Sequence, residues 1–252
     1  MFLPFAALAG LILGSFYSVC ASRYGTGTTI FQPARSHCPH CNHQLTAREN
    51  IPLLSYALQK GRCAHCNTKI PLFYPLIELT SMTWAVLAAQ QAASIEEWLV
   101  LMLLGGICIV ASAIDLHTFL LPDYLTYSGA AIALGASFFG LLPIEFTDAL
   151  LGASIGALLL WGVAAIFKIV RNIDGLGFGD VKFMVMLGAL VGWQGLSWLL
   201  LCASGTALIF ALFHLRGQKD MTTIPIPFGP FLALGAAITF LYGTNLQTFF
   251  YY

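Results

Sequence analysis

The chain has 252 residues, of which 58% are hydrophobic and only 9% charged, and its eleven basic and eleven acidic side chains cancel to zero net charge. Ordinary globular domains carry about 25% charged residues, so this composition, with a mean hydropathy of +0.82, excludes an ordinary soluble domain. It implies an all-α polytopic membrane protein with the lipid bilayer as its main partner, and no nucleic-acid partner is expected.

In chain order, apolar runs fall near 2–22, 72–93, 98–114, 124–142, 149–167 and 224–243, each approaching the roughly 20 residues that cross a bilayer. The first run has no charged segment before it and is expected to remain as a span, not to be removed as a leader. A further run, 183–215, is too long for one crossing, and Gly192-Trp193-Gln194-Gly195 offers a break within it. About eight spans are therefore expected. The expected division is 1–22 as the first span, 23–71 as a cytoplasmic loop and 72–252 as the main membrane domain.

The charges sort with that count. All eleven Lys and Arg residues, from Arg23 to Lys219, fall on one side. The opposite connections carry Glu96, Glu97, Glu145 and Asp148 and no basic residue. Positive-inside asymmetry then places both termini outside and residues 23–71 in the cytoplasm. It also brings Asp115 and Asp180, at the ends of two distant apolar runs, to the same cytoplasmic face.

The loop 23–71 holds Cys38-Pro39-His40-Cys41 and Cys63-Ala64-His65-Cys66, with residues 42–62 between them. Paired Cys-x-x-Cys knuckles at about this spacing read as a zinc site. Four thiolates, from Cys38, Cys41, Cys63 and Cys66, fill a tetrahedral Zn²⁺ and leave no open position, so the metal would be structural. A cytoplasmic setting disfavours disulfides, and a redox pair is the main rival. His37, His40, His43 and His65 crowd the knuckles without being needed as ligands. Cys20, Cys108 and Cys202 lie in apolar runs and read as packing residues.

Acids within or beside membrane spans are functional candidates because burying them is costly. The glycines of Gly175-Leu176-Gly177-Phe178-Gly179-Asp180-Val181-Lys182 permit a tight turn and close approach, delivering Asp180 to the start of an apolar run. Asp115 closes another. Two carboxyls sharing a site do not easily ionise together, so one holds a proton while the other is charged. Such a pair offers a base that draws a proton from attacking water and an acid that serves the oxyanion and leaving amine. Asp123 reads as a helix N-cap, and Asp174 as solvated. Glu78, alone in the second span, calls for a partner or a role of its own. The glycine run is not read as a nucleotide loop, because no strand precedes it. A transporter would show internal repeats and acids near the midplane, which are not evident.

Taken together, Asp115 with Leu121-Pro122-Asp123, and Gly177-Phe178-Gly179-Asp180-Val181-Lys182, resemble the paired-aspartate signature of type IV prepilin peptidases. The loop from Arg35 through Cys41, Ile51-Pro52-Leu53-Leu54-Ser55-Tyr56, Gly61-Arg62-Cys63 and Tyr74-Pro75-Leu76-Ile77-Glu78 are similar to that family's amino-terminal region. Gly14-Ser15-Phe16 and Ile226-Pro227-Phe228-Gly229-Pro230 also fit. The resemblance implies a bifunctional enzyme of the bacterial inner membrane with Asp115 and Asp180 as its catalytic pair. Such an enzyme cleaves the basic leader of type IV prepilins or type II secretion pseudopilins on the cytoplasmic side. It then methylates the new amino terminus with S-adenosylmethionine. A peptidase lacking methyl transfer is the nearer alternative, an ion-coupled transporter the more distant one. Glu49, Asp123, Asp174 and Asp220 lie on the side where a basic leader would be met.

Overall fold

A computed structural model describes residues 2–24, 26, 29, 35–172, 175–214, 216 and 225–250. Asp174 and Asp220 lie outside the described residues. Among those described, the regular structure is helical, with two isolated antiparallel bridges, His37–Gln44 and Arg62–Lys69, and no strand. The helices are α1 (Leu3–Arg23), α2 (Leu54–Leu58), α3 (Phe73–Gln91), α4 (Ile95–Thr118), α5 (Asp123–Phe138), α6 (Phe146–Arg171), α7 (Phe178–His214) and α8 (Gly229–Phe250), with a 3-10 turn at Arg48–Asn50. Four of them, α1, α4, α6 and α7, are long and apolar enough to cross a membrane.

The interruption expected in the long run is present. Gly192 sits in α7 at φ 69° and ψ 171°, a conformation that glycine alone adopts without strain. A Cβ there would meet Ile144 only at an ordinary 3.5 Å, so the backbone angle, not space, demands glycine. Asp115, expected at the end of an apolar run, lies in the last turn of α4, which continues to Thr118 because helical hydrogen bonding does not stop where hydropathy falls.

The chain forms two compact units, Met1–Ile114 and Asp115–Tyr252. In the first, α1 turns Ala6, Gly10, Gly14, Ser18 and Ala21 inward, a spacing of one helical turn that forms a single face. Phe5, Leu8, Ile12 and Phe16 project outward from the other side. Burying small residues while exposing large apolar ones suits a helix whose outer solvent is lipid. The inward face packs on Ile77, Glu78, Ser81, Ala85 and Ala88 of α3. The indoles of Trp84 and Trp98 tie α3 to α4 by donating to the carbonyls of Leu101 (2.8 Å) and Ala85 (3.0 Å).

The second unit follows the same rule, with Ala149, Gly152, Ala153 and Gly156 of α6 buried against α7. Helix α6 carries Asp148 in its first turn and Lys168 and Arg171 in its last, and Asn172 ends it in the left-handed region at φ 54°. Both charge placements complement the helix dipole, and asparagine tolerates that terminal conformation.

Candidate active site and metal centre

In the second unit, Asp115 is only 4% exposed and Asp180 only 8%. Each meets the start of a helix, although Asp115 itself lies in the last turn of α4. Asp180 occupies the first turn of α7, and its carboxyl turns back to accept a hydrogen bond from the Gly177 backbone N–H. Asp115 Oδ2 accepts the N–H of Gly229 at 3.0 Å, the first residue of α8. Helix N-termini present unpaired N–H groups and partial positive charge, so each carboxyl is offered compensation in an apolar setting. The two are near enough for Asp115 to act electrostatically on Asp180.

The glycines serve close approach here. Gly175, Gly177 and Gly179 are absent from the positive-φ residues, so none is needed for an unusual backbone angle. A Cβ on Gly179 would lie 3.0 Å from Cβ of Leu121, and one on Gly229 would lie 2.8 Å from Asp115 Oδ2 and 3.2 Å from Cδ2 of Leu121. Buried Leu121 thus touches both the turn that carries Asp180 and the helix start that holds Asp115.

Asp123 is not the N-cap expected. Pro122 holds that position with no side-chain capping bond, and Asp123 is the first residue of α5. Its Oδ1 instead accepts from Lys182 Nζ at 2.7 Å. The ammonium also stands 5.2 Å from the ring centroid of Phe178 and 5.5 Å from that of Tyr127. The carboxylate offered to a basic leader is therefore already engaged within the chain.

The four cysteines converge. The Sγ atoms of Cys38, Cys41, Cys63 and Cys66 all lie within 4.8 Å of one another, and those of Cys38 and Cys66 are 3.7 Å apart. Thiolates about 2.3 Å from a tetrahedral Zn²⁺ stand about 3.8 Å apart, so the donor set fits that ion. The two knuckles repeat one local design. Cys38 N–H donates to His43 O and Asn42 N–H to Cys38 O, as Cys63 N–H donates to Thr68 O and Asn67 N–H to Cys63 O, all at 2.9 Å. Asn42 (φ 55°) and Asn67 (φ 60°) close the two turns in the left-handed region, which asparagine enters more readily than most residues.

Glu49 joins the knuckles. Its oxygens stand 3.5 Å from Nε2 of His43 and 3.5 Å from Nε2 of His65, whose rings lie with centroids 3.4 Å apart, tilted by 30°. Thr46 donates to it through both N–H (2.8 Å) and hydroxyl (2.7 Å), and these bonds hold its carboxyl down to about 2. The three side chains could themselves hold an ion. The Glu49 carboxylate, however, is already engaged by Thr46 and stands beside both imidazoles. Glu49 reads better as a clamp between the knuckles.

Sequence reasoning named Leu121 and Gly229 only within motifs and gave them no role, and it missed the Asp123–Lys182 pair and the Glu49 clamp. The role of Gly229 could have been found, since the glycine between Phe228 and Pro230 immediately precedes a helix-starting proline.

Comparison with known proteins matches the chain to two families. The Bacterial Peptidase A24 N-terminal domain family matches residues 8–92, and the Type IV leader peptidase family matches residues 102–212. The chain is 37% identical over 275 residues to a prepilin leader peptidase/N-methyltransferase of Burkholderia pseudomallei, covering 97% of this chain and 86% of the relative. It is 39% identical over 220 residues to that of Aeromonas hydrophila (86% and 74% covered) and 38% over 212 residues to that of Pseudomonas aeruginosa (84% and 72%).

The chain belongs to the type IV leader peptidase family. No solved structure matches it. Within this family member, Asp115 and Asp180 both fall in the segment matched to the leader peptidase family, and the cysteine cluster falls in the segment matched to the amino-terminal domain.

Proposed function

We propose that this chain is a bifunctional enzyme of the bacterial inner membrane. It removes the basic leader of type IV prepilins or type II secretion pseudopilins at the cytoplasmic face. It then methylates the exposed amino terminus with S-adenosylmethionine. The observation that carries the reading is the meeting of two buried carboxyls, Asp115 and Asp180, each backed by a helix N-terminus. One carboxylate takes a proton from the water that attacks the scissile carbonyl, and the partner carboxylic acid donates to the developing oxyanion and then to the leaving amine. The apolar surroundings strengthen every charge interaction in the site.

The same reading gives about eight crossings, with α7 counted as two across Gly192. Residues 1–22 form the first span, 23–71 a cytoplasmic loop closed by structural Zn²⁺ on Cys38, Cys41, Cys63 and Cys66, and 72–252 the peptidase domain. The relatives' shared name, which couples leader cleavage to N-methylation, favours the bifunctional reading over a peptidase alone. The test is purified protein incubated with one prepilin, with and without methyl donor, and read by intact mass. The expected result is loss of the leader mass, followed by a gain of one methyl group only when the donor is present. An unchanged substrate mass overturns the reading.

A further inference from the structure

Three stretches of the first unit that leader cleavage does not use meet at one buried carboxyl. Glu78 on α3 is 8% exposed. Its Oε2 accepts the N–H of Leu53 at 2.8 Å, and the hydroxyl of Ser15 on α1 provides its other hydrogen bond. Both partners are neutral. Among the described residues no cationic side chain pairs with Glu78, whose electrostatic partners include no Lys, Arg or His. Ionised among neutral donors alone, this carboxyl would carry a charge that none of the described residues balances, and buried charges are ordinarily paired.

Two neighbours set this place apart from a structural tie. Ser81, one turn along the same face of α3, is 1% exposed, and its Oγ has no hydrogen-bond partner. Such orphaned hydroxyls are uncommon in folded proteins and call for a reason. Leu53 holds φ 58° and ψ −44°, outside the left-handed helical region and strained for any residue with a Cβ, and strain of this kind gathers at functional sites. Helix α1 comes close at this level because Gly14 has no side chain, and a Cβ there would lie 2.7 Å from Cα of Glu78 and 2.9 Å from Cβ of Ser81.

We propose that Glu78 and Ser81 form the amine site for methyl transfer, where the α-ammonium of the processed peptide is bound as the missing cation and gives up a proton to Glu78. The proposal rests on the methyl-transfer half of the function set out above. The chemistry balances. Glu78 carboxylate takes one proton from the ammonium and becomes a carboxylic acid, leaving a neutral amine. The amine lone pair attacks the methyl carbon of the sulfonium donor, the carbon–sulfur bond breaks with its electron pair remaining on sulfur, and a neutral thioether departs. The product is a secondary N-methyl ammonium, and Glu78 later releases its proton to water. Ser81 Oγ accepts a hydrogen bond from an N–H of the same nitrogen, leaving the lone pair free for attack. Leader cleavage, by contrast, uses the carboxyls of the second unit.

The deciding variant is Glu78→Gln, which keeps the size of the side chain and an oxygen to accept from Leu53 N–H, but removes the charge and the base. With the full-length enzyme, one prepilin and S-adenosylmethionine, intact mass reads cleavage and methylation in the same sample. Cleavage within about twofold of wild type with methylation reduced about a hundredfold or more supports the proposal, as does partial recovery of methylation in Glu78→Asp. Wild-type methylation by Glu78→Gln overturns it and leaves Glu78 a structural tie. If the wild-type enzyme cleaves but never methylates, the function proposed above fails first. If Glu78→Gln loses cleavage as well, Ser81→Ala decides, because its hydroxyl bonds to nothing in the fold. A tenfold or greater loss of methylation with intact cleavage supports the amine site, and unchanged methylation overturns it.

Discussion

Asp115 Oδ2 accepts the backbone N–H of Gly229, 114 residues further along the chain, at 3.0 Å. This bond fixes where one carboxyl of the pair points, because it seats Asp115 at the N-terminus of α8. Gly229→Ala would put a methyl group 2.8 Å from that oxygen and 3.2 Å from Leu121, closer than van der Waals contact allows. Since α8 can begin with alanine as readily as glycine, the damage should fall on the carboxyl and not on the helix. Leader cleavage is expected to drop by about 10–100-fold, in the range that small misplacement of a reacting group causes, while circular dichroism of the detergent-solubilised protein stays unchanged. Full cleavage by this variant would mean that Asp115 does not need this anchor.

Asp115→Asn and Asp180→Asn should each reduce cleavage by at least the 10²–10⁴-fold that general acid–base catalysis contributes. If the carboxyls act as one unit, the double variant should be no slower than the worse single, because effects within a catalytic unit are grossly non-additive. Single-turnover cleavage of one prepilin by the three variants checks this. Multiplying losses would assign the residues to separate steps.

What the sequence disclosed and what it hid divide along a physical line. The break at Gly192, the cysteine knuckles and the two aspartates were legible because each rests on local chemistry: a backbone angle open to glycine, thiols at ligand spacing, an acid where apolar residues should continue. The Gly229 N–H was hidden because it is one backbone donor among many until the fold selects it. The packing role of Leu121 was hidden for a similar reason, since a leucine beside a membrane segment packs like any other until Gly179 and Gly229 leave room for it on both sides. Asp123 misled in the opposite direction. Its place after Pro122 suits an N-cap, but Lys182, carried on another helix, reaches it first.

That ion pair makes its own prediction. Asp123 is 61% exposed and Lys182 18%, and exposed pairs contribute about 0–1 kcal/mol to stability, so neither Asp123→Asn nor Lys182→Met should lower the melting temperature by more than a few degrees. Their effect should appear in cleavage. Lys182 stands two residues beyond Asp180, and Asp123 two residues beyond Leu121, so the pair pins together the segments that position the site. Each single variant should slow cleavage about tenfold, and the double variant should be no slower than either. Additive losses in this double-mutant cycle would show that the residues act independently.

The cysteine loop gives the last prediction. If Cys38, Cys41, Cys63 and Cys66 close around Zn²⁺, the purified protein should carry one zinc per chain by elemental analysis, and Cys63→Ser should carry much less. Strong chelation should expose the loop to protease, because a structural metal contributes its binding energy to folding. Acid gives a second handle, and its sign follows from Glu49. A carboxyl held down to about 2 by Thr46 and His43 contributes stability that is fully present above its ordinary value near 4.3. That contribution is lost as pH falls through the interval from about 4.3 to about 2. Between pH 5 and 8 the Glu49 carboxyl itself should therefore stay ionised. Metal loss in that range would come from protonation of the thiolates, which compete with the ion for their protons. Comparing zinc retention of wild type and Glu49→Gln from pH 8 down to pH 5 separates the two effects. The variant should release zinc at a higher pH than wild type if the clamp holds the knuckles together, and identical release curves would remove Glu49 from any part in closing the loop.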